Sequence, residues 1–199
     1  MTERAASERQ QDALCELANV GSGHAASMLA RLVGGTAVVT EVPRLSVAHA
    51  GDLSGQLDEV GARALIVGFS VEGSVSGQLW WILHTDDART LAGRLLGRPA
   101  PASHLSAEER GALAEAANIV ASSFCSAVGQ MVGAPMMPSP PDLREGVIGK
   151  LLAAHPSSSD AVVVQVPFQS KDGPHFGGNL VLMVATHDAK SLLNQLKVG

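Results

Sequence analysis

At 199 residues, with 46% hydrophobic and 17% charged side chains, the chain is long enough to bury a sizeable core and too apolar to be disordered. A net charge of −5 with no run of Lys or Arg excludes nucleic acid as a partner. The polar, charged stretch Met1 to Gln11 excludes a readable secretory signal, and no uninterrupted apolar run approaches the roughly 18 residues of a membrane span.

In chain order the pattern predicts a long helix through residues 16–34, a short β-prone stretch Thr36–Glu41 closed by Pro43, and a short helix near Ala48–Leu57. Two β-branched runs follow, Ala64–Val71 and Gly77–His84, joined at Glu72-Gly73-Ser74 as a hairpin, then a helix over Asp86–Leu96. Gly97–His104 reads as a connector. The order then recurs: a long helix through 115–133, a β-prone Pro135–Pro138, the exit Pro140–Pro141, a helix over Leu143–Ala153, strands Ala161–Phe168 and Asn179–Ala185 around the turn Lys171-Asp172-Gly173-Pro174, and a helix over His187–Leu196. The connector is too short to separate domains. The expectation is therefore one α+β domain over 1–199, an antiparallel sheet flanked by long helices, with a pseudo-twofold repeat of helix, strand, helix, hairpin, helix over about 9–97 and 104–197.

The repeat is also visible residue by residue. At an offset of 99, Glu16 matches Glu115, Ala18 Ala117, Asn19 Asn118, Ser27 Ser126, Val33 Val132 and Gly34 Gly133. Positions i and i+3 share a helix face, so each half presents a carboxylate beside a carboxamide. Asn is unfavourable inside a helix because its side chain competes for backbone groups, so two mid-helix Asn residues need a reason. A single Glu-x-x-Asn reads as an ordinary solvated face, and symmetric packing against the other half is the stronger bland account of two. Gly21, Gly23, Ala25 and Ala26 after Asn19 are small enough to let another protein's backbone approach.

At these residues the sequence resembles the CheC, CheX and FliY family of phosphatases, whose helix motif is Asp or Ser, three residues, Glu, two residues, Asn, then twenty-two residues and Pro. Asp12, Glu16 and Asn19 match the helical part, with Pro43 one residue late; Glu115, Asn118 and Pro141 match in identity and spacing, with Gly111 in the first position. The phrase 18–25 and Pro138-Ser139-Pro140-Pro141 are also similar to CheC, as is the layout from about residue 9 onward, and two motif copies in a chain of this length point to CheC. The resemblance implies hydrolysis of the phospho-aspartate of a CheY-like response regulator in chemotaxis, with Asn holding water in line with phosphorus and Glu docking the helix against a regulator lysine. It implies no cofactor in this chain, since the Mg²⁺ belongs to the regulator. Holding water in an attacking geometry suits a substrate that is already an acyl phosphate. A binding module of the same fold, acting as a flagellar-switch-like adaptor or a partner of the receptor deamidase CheD, is the competing reading, as is a regulator outside chemotaxis.

Other features weigh less. Seven scattered His residues lack two-ligand helical spacing. Gly21-Ser22-Gly23 follows no strand and is no phosphate loop, and no Gly-x-Ser-x-Gly elbow is present. Trp80 and Trp81 alternate across a strand, which puts one ring in the core and leaves the other for an exposed face. Cys15 and Cys125, far apart in helical patterns, form no disulfide framework and read as small packing residues; the expected address is the cytoplasm.

Overall fold

Leu14, Leu17, Ala18, Ala25 and Leu29 recur at helical spacing and are all buried, which is why the N-terminal segment forms one long amphipathic helix. The computed structural model describes residues 8–48, 61–73, 76–154 and 160–195. Its elements are α1 (Glu8–Leu32), β1 (Val38–Thr40), β2 (Arg44–Ala48), β3 (Arg63–Gly73), β4 (Gly77–His84), α2 (Thr85–Leu95), α3 (Ala107–Val132), β5 (Met136–Pro138), β6 (Asp142–Val147), α4 (Ile148–Ala153), β7 (Ala161–Ser170), β8 (Gly177–Ala185) and α5 (Thr186–Gln195). The second long helix starts on a capping box in which the Glu109 backbone N–H donates to Ser106 and the Ser106 backbone N–H donates to the Glu109 carboxylate.

All described strands join one eight-stranded sheet in the order β1-β7-β8-β4-β3-β5, with β2 also on β7 and β6 also on β3. Every pairing is antiparallel, and both expected hairpins form, with Ala64 opposite His84 and Ala161 opposite Ala185. Exchanging β1 with β5, β2 with β6, β3 with β7 and β4 with β8 returns the same order. Each short strand pair therefore lies on the hairpin of the other half of the chain.

Alternation along the strands separates two cores. Leu65, Val67, Phe69, Leu79, Trp81, Leu83, Val164 and Leu182 face α1, α2, α3 and α5, while Ala64, Ile66, Trp80, Ile82, Val163 and Val181 point to the opposite face with Ile148 and Leu152 of α4. Trp80 and Trp81 are thus both buried, at 3% and 1% exposed, which corrects the expectation of one exposed ring. The reason is that both faces of this sheet are covered.

Three further expectations change. Leu143–Val147 belongs to β6 rather than to a helix over Leu143–Ala153, because pairing with β3 satisfies its backbone along that strand; only Ile148–Ala153 is helical. Gly73 belongs to β3, not to a turn, and has φ 139°; a Cβ there would lie 2.1 Å from the Pro135 carbonyl oxygen, so β5 pairs closely only with glycine. Ala48 ends β2, and the rest of the helix expected near Ala48–Leu57 lies outside the described residues. By length and composition α3 is apolar enough to cross a membrane, with a mean hydropathy of 1.3, although Asn118 and several Ser residues interrupt it. Here half of that stretch is buried.

Candidate functional site

The helical periodicity of α1 that buries one stripe leaves Asp12, Cys15, Glu16 and Asn19 along another, at i, i+3, i+4 and i+7. Opposite them, β1 and the loop after it supply Thr40, Glu41, Val42 and Pro43, and the two walls enclose an open groove of about 400 Å³. The loop is held by its backbone, Glu41 N–H donating to the Pro167 carbonyl at 2.9 Å on β7. All four motif residues of the first half, Asp12, Glu16, Asn19 and Pro43, therefore meet in one groove. The extra residue before Pro43 is absorbed outside the helix.

Glu16 and Asn19 are both exposed, and among the described residues their side chains make no hydrogen bond or ion pair. Three carboxylates, from Asp12, Glu16 and Glu41, give the groove an acidic rim. Val42, 82% exposed, adds an apolar edge. Cys15 lines this groove instead of packing as a core residue. Burial, then the negative charge of Asp12, push its thiol pKa up, so it stays protonated and is a poor nucleophile at neutral pH. Cys125 is buried in the core as expected, its thiol pushed up to about 12 by burial.

On α3, Glu115 is exposed and Asn118 half-buried one turn later. Gly111 is exposed, and a Cβ there would meet nothing within 4 Å. Half-buried Pro141 follows a loop tied to β3, with Ser139 N–H donating to the Ser70 carbonyl at 2.8 Å and Ser70 N–H to the Ser139 hydroxyl at 3.0 Å. Nearby, Arg110 of α3 pairs with Glu145 of β6 at 2.8 Å. The second pair thus has one wall built like the first, but no side chain where the first half has Asp12.

The small residues after Asn19 do not open a surface to a partner. A Cβ on Gly21 would lie 2.8 Å from the Phe124 ring and 2.9 Å from Val128, so Gly21 lets α1 approach α3 within the core. Ala25 and Ala26 are buried too, and of the four only Gly23 is open. Sequence reasoning missed Thr40, Glu41 and Val42 as groove residues, since only the sheet pairing of β1 brings them opposite α1. No group of three or more His, Cys, Asp or Glu that would hold a metal ion occurs among the described residues.

Residues 10–47, which contain the whole first motif and both groove walls, match the CheC-like family. The chain is similar to the CheY-P phosphatase CheC of Bacillus subtilis, 26% identical over 152 residues covering 73% of this chain and 71% of that protein. The fold is that of Thermotoga maritima FliY, with a TM-score of 0.80 at 15% identity over 98% of this chain and 100% of the other. It is shared with a chain of a Helicobacter pylori FliG-FliM complex (0.69, 14%, 95% and 100%) and with a chain of the CheX-CheY-BeF3-Mg complex of Borrelia burgdorferi (0.55, 18%, 81% and 94%).

Proposed function

We propose that this chain is a member of the CheC/CheX/FliY family and a phosphatase that removes the phosphoryl group from the aspartate of a CheY-like response regulator. The observation that carries the reading is the α1 groove, where an exposed, unpartnered Glu16 and Asn19 stand with Asp12 and Pro43 in the segment that matches the family. Asn19 and Asn118 each hold a water in line with the phosphorus, the carboxamide supplying a donor and an acceptor fixed in space. Glu16 and Glu115 each dock a regulator lysine. The water attacks phosphorus, the P–O bond to the aspartate breaks, and inorganic phosphate leaves. The Mg²⁺ that neutralises the transferring group belongs to the regulator.

The test is phosphate release from a purified phosphorylated CheY-like regulator, with its own decay subtracted. The wild-type chain accelerates release, Asn19→Ala and Asn118→Ala each retain part of the rate, and the double variant falls to background. A second reading, an adaptor of the same fold, is favoured by the likeness to a chain of the FliG-FliM complex; the CheD partnership implied by the family resemblance fits that reading too. A wild-type chain that binds the phosphorylated regulator and leaves its decay unchanged would select the adaptor.

A further inference from the structure

On the core side of α1, behind the groove, lies a small cavity with about 10 Å³ of room for a water centre, lined by Ser22, Ala25, Thr40, Trp81, Val120 and Phe168 among others. Most of its wall is apolar, yet three of these residues carry hydrogen-bonding groups. The indole Nε1–H of Trp81 is buried and has no hydrogen-bond partner. Ser22 is 0% exposed; its hydroxyl donates to the Asn19 backbone carbonyl at 3.1 Å and keeps its lone pairs for another donor. Thr40 lines this cavity and the groove alike.

We propose that one water molecule is bound in this cavity, accepting from Trp81 Nε1–H and donating to the hydroxyls of Ser22 and Thr40. A buried water needs a space of roughly 10–15 Å³ and two to four polar partners; the space here is about 10 Å³, and Trp81, Ser22 and Thr40 in its lining carry three polar groups. An empty cavity of similar size would be lined by apolar groups only, and the buried donor here would stay unsatisfied at a cost in free energy. The water joins three elements: β4 inside the sheet through Trp81, α1 one turn beyond Asn19 through Ser22, and the opposite groove wall through Thr40. The device belongs to the first half alone, because 99 residues on from Ser22 and Trp81 stand Ala121 and Leu180. Ser22, Thr40 and Trp81 are then positioning residues that fix the spacing between Asn19 and its facing wall. This last step rests on the phosphatase reading; the water site does not.

The site is tested by a high-resolution crystal structure of the full chain and by magnetisation transfer from a long-lived water to the Trp81 indole proton, assigned by its loss in Trp81→Phe. One ordered water within hydrogen-bond distance of Trp81 Nε1 is expected. A dry cavity, or an indole that donates directly to a protein oxygen, would overturn the proposal. For the positioning role, phosphate release is measured in an Asn118→Ala background, so that only the first groove turns over. There Trp81→Phe, or Ser22→Ala where the Phe variant folds poorly, lowers kcat roughly fivefold with KM unchanged. An unchanged kcat would overturn that role, whereas a parent with no turnover to begin with counts against the phosphatase reading and leaves the water to be decided by crystallography.

Discussion

The groove beside α1 and the matching face of α3 present the same carboxylate and carboxamide in different settings. Around the first pair stand Asp12 and Glu41 as well as Glu16, and the carboxamide is exposed. Around the second the helix has Gly111 in place of a polar residue, Asn118 is half-buried, and at the offset that aligns Pro43 with Pro141 the facing loop has Ser139 in place of Glu41. On the phosphatase reading, this difference separates the parts of the motif. The Glu and Asn spacing is kept in both, so the placement of the pair is the common requirement. The surrounding charge is not kept, and on that reading it is the quantity free to distinguish partners.

The largest expected effect comes from removing both carboxamides. Asn19→Ala with Asn118→Ala lowers phosphate release by roughly 10²-fold or more, the scale seen when a positioned polar group is lost from a transition state. Each single variant keeps the activity of the other half, and binding of the phosphorylated regulator, followed by titration, is largely retained in all three. If one single variant already sits at background, the comparison is between a working site and a relic.

Charge sharpens the contrast next. With Asn118→Ala isolating the first groove and Asn19→Ala isolating the second, KM at the first rises more steeply between low and physiological ionic strength, because three exposed carboxylates are screened there. Equal salt dependence would show that the acidic rim takes no part in docking.

The glycines separate packing from display. Gly21→Ala forces a Cβ against Phe124 and Val128 and destabilises the fold by about 1–3 kcal/mol, measured by denaturant midpoint. Gly111→Ala, where a Cβ meets nothing, stabilises by up to about 1 kcal/mol, and Gly111→Asp restores the polar first position of the motif. The Asp variant moves the salt dependence of the second site toward that of the first.

The smallest effect is the acid response of the α3 start. The Glu109 carboxyl is held below its ordinary value of 4.5, chiefly by the hydrogen bond from the Ser106 backbone N–H and further by Arg98 at 3.0 Å. A depressed carboxylate contributes stability above its unfolded value and loses it as pH falls through the folded one. The stability gap between wild type and Glu109→Gln therefore closes as pH is lowered below about 4.5, read by denaturant midpoints across the acid range. A gap that stays constant on acidification shows that the carboxylate's charge does not hold the cap.

Local pattern determined much of this protein. Helical spacing of Leu14, Leu17, Ala25 and Leu29 is enough to place α1, and β-branched runs broken by turn residues are enough to place both hairpins, since each depends on neighbours a few positions away. The Glu and Asn pairs were legible for the same reason: i and i+3 share a face whatever the fold. Tertiary structure alone decided the rest. Asp142–Val147 is a strand because β3 lies beside it, and Trp80 is buried because its face of the sheet is also covered. Gly21 serves helix contact because Phe124 and Val128, more than a hundred residues away, meet it. Thr40, Glu41 and Val42 become groove residues only when β1 pairs with β7, so half of the first site is assembled by a strand contact between residues about 130 positions apart, such as Thr40 and Phe168. No local signal encodes a contact of that range, because the backbone partners that fix it are chosen by the sheet as a whole.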